Sequence, residues 1–391
     1  MLSLHADPTT TVGAPENGGV TIYVREVAAA LAADGWTVDV VTRRQAASEP
    51  AAQYYRGFRV VRVDAGPAAP LANDEIAAHL RPAVEAVRGL CRATRYDFVS
   101  SHYWLSGAIG MEISAEFGLP HVHTPHSHGV ERVARDPVTL RRIEIERALL
   151  RDVPIVTLSD AHVELHRTAY GVAKVDAHVV PAGVDTARFF PGDRVRERVE
   201  LGLDPDAIWV GYIGRLTPEK GIDDLLRALA IARERGSTAR LFVVGGAAQG
   251  SRIPELGLLA ERLGIAAAVR FVGPIPNAAI AGAFRAADVV AVPSHYEAFG
   301  MVALEARATG VPVIASDVGG LRSLVGPETG GDRVPARDPI AWADALERAF
   351  APGELADRRR RALEMRGEGV LAWIDVARRV AGVASDTLAR G

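Results

Sequence analysis

The sequence predicts an α/β protein with two Rossmann-like domains, each built on a parallel sheet. Apolar runs of strand length alternate with segments of helical periodicity along the whole chain, which is typical of βα units. A length of 391 residues is sufficient for two domains of ordinary size. A stretch rich in Pro and Gly at 179–193 separates two series of such segments and marks the domain boundary.

The first series predicts one half of the molecule. Its short apolar runs predict strands at 36–42, 98–102, 121–124 and 155–159. Its amphipathic segments predict helices near 20–33, 75–93 and 138–150. The residues next to Met1 are expected to form a further, short strand at the start of this sheet.

The second series predicts the other half. Its apolar runs predict strands at 209–213, 241–244, 269–272, 289–292 and 313–315. We therefore expect an N-terminal domain over 1–187, a second domain over 188–367 and a final helix over 368–391 that returns to the first domain. Trp373 is expected to pack that helix.

The composition favours small molecules as partners. The chain has 45 basic and 48 acidic residues and a net charge of -3, which offers no basic surface for nucleic acid or anionic lipid. The single cysteine, Cys91, excludes an intramolecular disulfide and a thiolate metal cluster. The start MLSLHADPTT lacks the features of a signal peptide, and no run of 18 apolar residues occurs. We expect a cytoplasmic protein without stable membrane association, and leave homodimerisation open.

The turn before the first helix has the features of an anion site. Asn17, Gly18 and Gly19 precede the helix that starts near Val20, so their amides can approach an anion at a positive helix N-terminus. A diphosphate would fit there. The alternative is an ordinary tight turn, because Gly-Gly before a helix is common.

The segment GYIGRLTPEKG at 211–221 places two cations around one turn. Gly214 ends an apolar strand, Arg215 follows it, and Lys220 precedes the next helix. Departure of a nucleotide diphosphate builds negative charge on the leaving oxygens, which preorganised Arg and Lys donors stabilise. The alternative is a surface turn with solvated charges. A kinase or ATPase phosphate loop is not supported, because the segment does not match GxxxxGK[ST].

Two glutamates in SHYEAFGMVALEARATGVPVIASDVGG, at 294–320, have the spacing of a sugar site. Glu297 and Glu305 stand eight residues apart across a transition from loop to helix. Each carboxylate can accept hydrogen bonds from vicinal hydroxyls, one set on a transferred sugar and one on a ribose. Glutamates at this spacing are often solvated residues of a helix face. The surrounding residues make chance a poor explanation here, namely Phe299, Gly300, Gly310, Pro312, Gly319 and Gly320.

These motifs make the whole chain similar to glycosyltransferase family 4, whose members have the GT-B fold with two domains facing a central cleft. The family's E-x7-E motif is matched by Glu297 and Glu305. The resemblance implies that Glu297 contacts the donor sugar, that Glu305 contacts the ribose, and that Arg215 and Lys220 hold the diphosphate. The other donor-binding positions that it implies are Gly18, Gly19, Gly214, Phe299, Gly300 and Met301.

The N-terminal half is similar to the inositol-phosphate N-acetylglucosaminyltransferases of mycothiol biosynthesis and, more distantly, to sucrose-phosphate synthases. MLSLH, GGVTIYV and SHYWLSG carry this similarity. The resemblance implies that His126 contacts the donor sugar. The catalytic residues are then His126, Arg215, Lys220 and Glu297.

The same resemblance implies an acceptor site formed by Tyr103, Ser127 and Arg141. Ser127 replaces a threonine, and Asn73 stands where the relative has the lysine that helps to bind the acceptor phosphate. A phosphate held by Arg141 alone would lose one charge-assisted partner. We therefore predict an acceptor that is unphosphorylated or that carries a carboxylate.

The segment HVHTPHSHG invites a metal-site interpretation, because neutral imidazoles are common ligands. His121 and His123 have strand spacing, however, and no carboxylate cluster with ligand spacing accompanies them. Core histidines are the better interpretation, and no metal or other cofactor is expected.

The motifs and the family resemblance together predict a metal-independent glycosyltransferase, and the resemblance implies that it retains the anomeric configuration. The donor is a nucleotide diphosphate sugar, with UDP favoured and GDP open. The acceptor is a small polar molecule such as a cyclitol, an aminocyclitol, a sugar or a small thiol. The alternatives are a sugar-nucleotide epimerase on the same fold, a non-catalytic nucleotide-sugar binding protein, and a metal hydrolase built on the histidines.

Overall fold

The computed structural model describes residues 1–10, 18–132, 135–246 and 251–390. These residues divide into two compact units. The first contains the described residues up to Gly183 together with the last helix from Trp373, and the second runs from Val184 to Ala372. No helix in the described ranges is long and apolar enough to cross a membrane.

The described chain alternates between strands and helices. The strands are β1 Asp39–Arg43, β2 Ala52–Tyr55, β3 Phe58–Val63, β4 Val99–His102, β5 His121–Thr124, β6 Ile155–Thr157, β7 Ala177–Val179, β8 Gly183–Val184, β9 Trp209–Ile213, β10 Arg240–Val244, β11 Val269–Gly273, β12 Val289–Val292, β13 Val313–Ser316, β14 Asp332–Val334 and β15 Leu371–Ala372. The helices are α1 Gly19–Ala33, α2 Asn73–Ile76, α3 Leu80–Ala93, α4 Tyr103–Phe117, α5 Pro137–Asp152, α6 Asp160–Thr168, α7 Arg194–Glu200, α8 Ile222–Glu234, α9 Ile253–Arg262, α10 Ile280–Ala286, α11 Met301–Ala308, α12 Leu321–Leu324, α13 Pro339–Ala349, α14 Glu354–Glu364 and α15 Trp373–Arg390.

The sheet of the first unit is parallel except at one edge. Its strands lie in the order β2-β3-β1 and β4-β5-β6-β7. Leu2 joins the two groups through parallel bridges to Val41 and Ser101, so the short first strand expected at the chain start is reduced to this bridge. Strand β2 is antiparallel to β3.

The hairpin formed by β2 and β3 escaped the sequence analysis. Arg56 and Gly57 form its two-residue turn, and both have positive φ angles, of 48° and 90°. Such a turn matches the right-handed twist of the flanking strands. The usual sequence signal is Asn-Gly or Asp-Gly, and an arginine in the first position hides it.

The predicted helix near 75–93 is divided into two. Helix α2 ends at Ile76, a single 3₁₀ turn follows at Ala77–His79, and α3 begins at Leu80. Pro82 explains the division, because it lacks an N–H and is tolerated only in the first turn of a helix. The predicted strand 121–124 is confirmed at both ends.

The last helix belongs to the first unit. Trp373 is 8% exposed and its ring meets the ring of Tyr23, on α1, edge to face at 5.7 Å. An exposed ion pair joins Arg378 Nη2 to Asp34 Oδ1 at 2.8 Å, just beyond the other end of α1. Helix α15 therefore packs along α1.

The second unit is a six-stranded parallel sheet in the order β11-β10-β9-β12-β13-β14. In chain order this is 3-2-1-4-5-6, the order of dinucleotide-binding Rossmann folds. The strands predicted at 209–213 and 289–292 are confirmed at both ends. On one face, α8 and α13 cover the sheet, with Trp342 fully buried in the core between them.

Candidate active site

The strand order of the second unit fixes where a ligand would bind. Strands β9 and β12 are neighbours at the point where the strand order reverses. Open α/β sheets bind ligands outside the carboxyl ends of the strands at this point. The segments 214–221 and 293–300 leave these two carboxyl ends. Both predicted cation positions and Glu297 lie on them.

The structure brings two of the predicted catalytic side chains into direct contact. Lys220 Nζ lies 2.6 Å from Glu297 Oε2, and the two side chains are 22% and 19% exposed. Ser294 Oγ donates to the same carboxylate oxygen at 3.2 Å. The pair is therefore accessible to a ligand, and it holds opposite charges ready for a phosphate and for sugar hydroxyls.

Glycines allow the segments around Glu297 to approach one another. Gly221 has φ +69°, and a Cβ there would lie 1.9 Å from the carbonyl oxygen of Pro293. Gly319 has φ +45°, and a Cβ there would lie 2.0 Å from the carbonyl oxygen of Glu297. That same oxygen accepts a hydrogen bond from the N–H of Gly320 at 3.1 Å. Only glycine fits these close approaches of two backbones.

The other predicted diphosphate ligand, Arg215, lies at the same edge of the sheet. Its side chain is 41% exposed, and its Nη2 atom lies 3.8 Å from Glu219 Oε1. Gly214 precedes it with φ +157°, and a Cβ on Gly245 would lie 1.8 Å from the carbonyl oxygen of Gly214. Arg215 is thus presented to solvent from a tightly packed turn.

Glu305 lies half-buried in α11, which begins directly after Gly300. Burial raises the pKa of its carboxyl to about 7, although the positive charge of Arg188 acts in the opposite direction. Met301 is half-buried at the start of the same helix. Phe299 is 3% exposed, so its ring belongs to the core.

The predicted anion site of the first unit lies at the start of a long helix. Gly18 is the N-cap of α1, which begins at Gly19, and its first turn contains no acidic residue among those described. Asn17 lies outside the described residues. The positive end of α1 is therefore not compensated by a carboxylate of its own first turn.

His126 is a buried, neutral imidazole. It is 7% exposed and has φ +61°, an uncommon backbone conformation for a residue with a side chain. Its Nε2 atom lies 3.1 Å from His102 Nδ1, and its ring meets Tyr23 edge to face at 5.0 Å. Burial lowers its pKa to about 3. The side chain is thus held in one orientation without a charge.

The structure places Arg142, and not Arg141, beside the other predicted acceptor residues. Arg142 donates through Nη1 to the Tyr103 hydroxyl at 3.1 Å and through Nη2 to Ser127 Oγ at 3.0 Å. Its guanidinium also stacks on the Tyr103 ring, 4.8 Å from the centroid. Arg141 is exposed on the same helix. The sequence analysis missed Arg142 because neighbouring arginines on a helix differ only in the face on which they lie.

A buried carboxylate fixes the Arg142 guanidinium. Glu146, one helical turn further along α5, accepts from Arg142 Nε at 2.6 Å, and both side chains are 3% exposed. It also accepts from the Gly129 N–H at 2.9 Å and from the Tyr170 hydroxyl. The charge of Arg142 is therefore largely balanced inside the protein.

Asn73 is the half-buried first residue of α2. No hydrogen bond within the described ranges joins it to Tyr103, Ser127 or Arg142. Its neighbour Asp74 forms an exposed ion pair with Arg132 at 3.0 Å.

The histidines of the HVHTPHSHG segment serve the core. Ser101 Oγ lies 2.6 Å from His121 Nε2 and 2.8 Å from His123 Nδ1, across the sheet. His128 Nε2 lies 2.9 Å from His166 Nε2. Within the part of the chain that the structure describes, no three His, Cys, Asp or Glu side chains are arranged to hold a metal ion.

Both halves of the chain are similar to known proteins. Residues 17–188 match the family model of glycosyltransferase family 4, and residues 193–364 match that of glycosyl transferases group 1. The D-inositol 3-phosphate glycosyltransferase of Actinosynnema mirum is 39% identical over 374 residues, which are 90% of this chain and 89% of the relative. That of Acidothermus cellulolyticus is 38% identical and covers 100% of this chain and 90% of its own length.

A solved structure extends the similarity to the fold. The sucrose-phosphate synthase of Thermosynechococcus elongatus superposes with a TM-score of 0.89 at 31% identity, over 100% of this chain and 98% of that one. The fold and the site thus define a glycosyltransferase of the GT-B class. The chain belongs to glycosyltransferase family 4, and its similarity to the inositol phosphate enzymes confirms the resemblance found in the N-terminal half.

Proposed function

We propose that this glycosyltransferase moves a hexose-type sugar, with retention of configuration, from a nucleotide diphosphate donor to a small polar acceptor. UDP is the favoured nucleotide, and GDP is the second candidate. The observation that carries the proposal is the Lys220–Glu297 pair, 2.6 Å apart at the carboxyl ends of β9 and β12. This pair offers a cation for a diphosphate next to an acceptor for sugar hydroxyls.

The reaction that these residues support needs no enzymic nucleophile. Lys220 and Arg215 stabilise the charge that develops on the departing diphosphate, and Glu297 holds the sugar. Glu305 would hold the ribose. In front-face attack, the acceptor oxygen bonds to the anomeric carbon as the bond from that carbon to the diphosphate oxygen breaks. Both oxygens lie on the same face of the sugar, so the departing phosphate can accept the proton of the acceptor and the configuration is retained. His126, neutral and fixed, would orient the sugar.

The cations Lys220 and Arg215 also support metal independence. They supply the positive charge that a divalent ion would supply in other glycosyltransferase folds. Dialysis against EDTA should leave activity unchanged. Loss of activity in chelator and its return with zinc or manganese would favour the metal hydrolase or a metal-dependent transferase.

The charge balance around Arg142 supports an acceptor with little negative charge. The relatives from Actinosynnema mirum and Acidothermus cellulolyticus are named for D-inositol 3-phosphate. In this chain, Glu146 already pairs with Arg142, and an asparagine stands at position 73. We therefore propose a neutral or carboxylated acceptor, such as a cyclitol, an aminocyclitol, a sugar or a small thiol. The proposed setting is the cytoplasm, with the oligomeric state open.

The decisive experiment starts with the donor. The purified protein is screened against nucleotide sugars by thermal shift, and candidate acceptors are then added to the best donor. An epimerase would turn over the donor without acceptor, and a binding protein would show affinity without turnover. Either result would refute the proposal.

A lysine variant then tests the site. Lys220→Ala should lower kcat far more than it raises the donor KM, because leaving-group charge is greatest in the transition state. The loss expected for one such donor is about 10²–10³-fold. Lys174, the other lysine of the chain, is exposed and provides the matched control Lys174→Ala. Equal effects of the two substitutions would contradict the assignment.

A further inference from the structure

His295 and Asp224 form a second link between the two segments that carry Lys220 and Glu297. His295 Nε2 lies 2.7 Å from Asp224 Oδ2, and both side chains are 19% exposed. A carboxylate only accepts hydrogen bonds, so the imidazole donates through Nε2. Asp224 is the third residue of α8, and His295 lies two residues before Glu297.

The backbone of His295 is tied to the same place. Its N–H donates to the carbonyl oxygen of Glu219 at 2.8 Å, directly before Lys220. The main chain of His295 is thus attached to the segment 214–221, and its side chain is attached to the first turn of α8, which follows that segment. The neighbouring Asp223 is engaged elsewhere, because Arg252 binds it at 2.9 Å.

We propose that His295 and Asp224 are positioning residues that hold the Glu297 segment against the Lys220 segment. The expected effect on turnover rests on the proposed function, whereas the expected effect on the two segments does not. The Lys220–Glu297 pair alone joins two flexible side chains and is partly screened by solvent. The His295–Asp224 contact fixes the backbone from which Glu297 projects. A displacement of about 1 Å in such a site lowers turnover roughly 10²-fold.

The first test measures the structural consequence. Hydrogen–deuterium exchange is followed by mass spectrometry in peptides that cover 216–222 and 293–300. His295→Ala and Asp224→Ala should each accelerate exchange in both peptides, and the double variant should add little to either. His178 and Asp176 form a similar surface pair at 3.1 Å, so His178→Ala is the matched control and should leave both peptides unchanged. Unchanged exchange in His295→Ala would overturn the inference.

The second test measures the kinetic consequence. His295→Ala should lower kcat at least tenfold with a smaller change in donor KM, because Lys220 acts mainly on the transition state. His295→Gln should restore most of the rate, since its amide can donate to Asp224 from nearly the same position. Circular dichroism confirms that each variant is folded. Wild-type rates in His295→Ala, or failure of rescue by His295→Gln, would refute the positioning role.

The two tests separate the two proposals. A wild-type protein that turns over no nucleotide sugar refutes the proposed function, and the exchange experiment still decides whether His295 and Asp224 fix the segments. Turnover by the wild type with no effect of the His295 substitutions refutes the positioning role alone.

Discussion

A carboxyl group with a pKa near 7 changes its charge in the range of ordinary assays, and Glu305 is such a group. Burial raises its pKa from 4.5 to about 7. The folded state therefore holds the proton more tightly than the unfolded state does. The stability that Glu305 contributes is therefore fully present below pH 4.5 and is lost as the pH rises through 7.

Replacing Glu305 should remove this pH dependence. Between pH 5 and pH 8 the wild type should lose up to about 3 kcal/mol of stability through this group, and Glu305→Gln should lose less. The measurement is urea unfolding of both proteins at a series of pH values. Glu234 is exposed on α8, and Glu234→Gln is the control that should behave like the wild type. Parallel pH profiles for wild type and Glu305→Gln would contradict the prediction.

Arg142 is the arginine beside Tyr103 and Ser127, at the proposed acceptor site. Arg142 binds Tyr103 and Ser127 through separate nitrogens, which a lysine cannot reproduce. Arg142→Lys should lower kcat/KM for the acceptor roughly tenfold or more, a loss of at least about 1.4 kcal/mol. Arg141→Lys, one residue away and exposed, should be close to wild type.

A comparison of acceptors with the wild-type protein tests which charge the acceptor carries. Values of kcat/KM are measured for inositol, a carboxylated analogue and inositol 3-phosphate with one identified donor. A preference for the phosphate compound by a hundredfold, about 2.7 kcal/mol, would show that another cation replaces the lysine missing at Asn73. A large loss of kcat/KM in Arg141→Lys would instead support Arg141 as the acceptor-site arginine, as the family resemblance implies.

At the scale of elements, the close approach of two turns depends on Gly221. A side chain there would meet the carbonyl oxygen of Pro293 at 1.9 Å, and the φ of +69° is strained for any other residue. Gly264 has the same φ of +69° but has nothing within 4 Å of a Cβ. A comparison of substitutions at the two positions therefore distinguishes the cost of the steric contact from the cost of backbone strain.

Alanine at the two positions should therefore have unequal effects. Gly264→Ala should cost about 1 kcal/mol through backbone strain alone. Gly221→Ala should cost roughly 2–4 kcal/mol and also lower turnover, because the Lys220 and Glu297 segments are forced apart. Urea unfolding gives the free energies, and the donor assay gives the rates. Equal destabilisation by both substitutions would show that the Pro293 carbonyl can move away from the new Cβ at position 221 without loss of stability.

The accuracy of the element predictions follows the strength of the local signal. Strands β9 and β12 are buried apolar runs, so composition alone defines their ends. Strand β14 has only three residues, Asp332–Val334, and begins with two charged side chains. Nothing local distinguishes it from a loop. Its place at the sheet edge comes from pairing with β13.

At the scale of the whole molecule, buried histidines distinguish the first unit. Eight of the eleven histidines of the chain are buried there with lowered pKa values: His5, His102, His121, His123, His126, His128, His162 and His166. Burial is the largest cause in each case, because it disfavours the charged imidazolium. The second unit has one histidine, His295.

This distribution predicts acid lability of the first unit. The unfolded state binds more protons below pH 6.5, so stability is full above that value and falls as the pH drops toward about 3. At pH 5 the imidazoles of the unfolded chain are mostly protonated while the buried ones stay neutral, and this difference lowers the stability of the first unit. Hydrogen exchange at pH 7.5 and pH 5, corrected for the intrinsic rate, should show faster opening in first-unit peptides than in second-unit peptides. Equal change in both units would contradict the prediction.

Local sequence patterns were sufficient to predict the α/β class, most of the strands and the segments that carry Lys220 and Glu297. These features are local. Apolar runs define buried strands, and the segments that contain Lys220 and Glu297 are recognisable from the glycines and the spacing of neighbouring residues. Their meeting at one sheet edge depends on the strand order, which places β9 beside β12.

The hydrogen-bond partners of these side chains depend on the tertiary packing. Arg142 rather than Arg141 reaches Tyr103 and Ser127, because the packing of α5 against α4 sets which face of α5 turns inward. The His295–Asp224 contact joins positions 71 residues apart. Side-chain partners at such separations depend on strand order and helix rotation, which no local pattern of residues encodes.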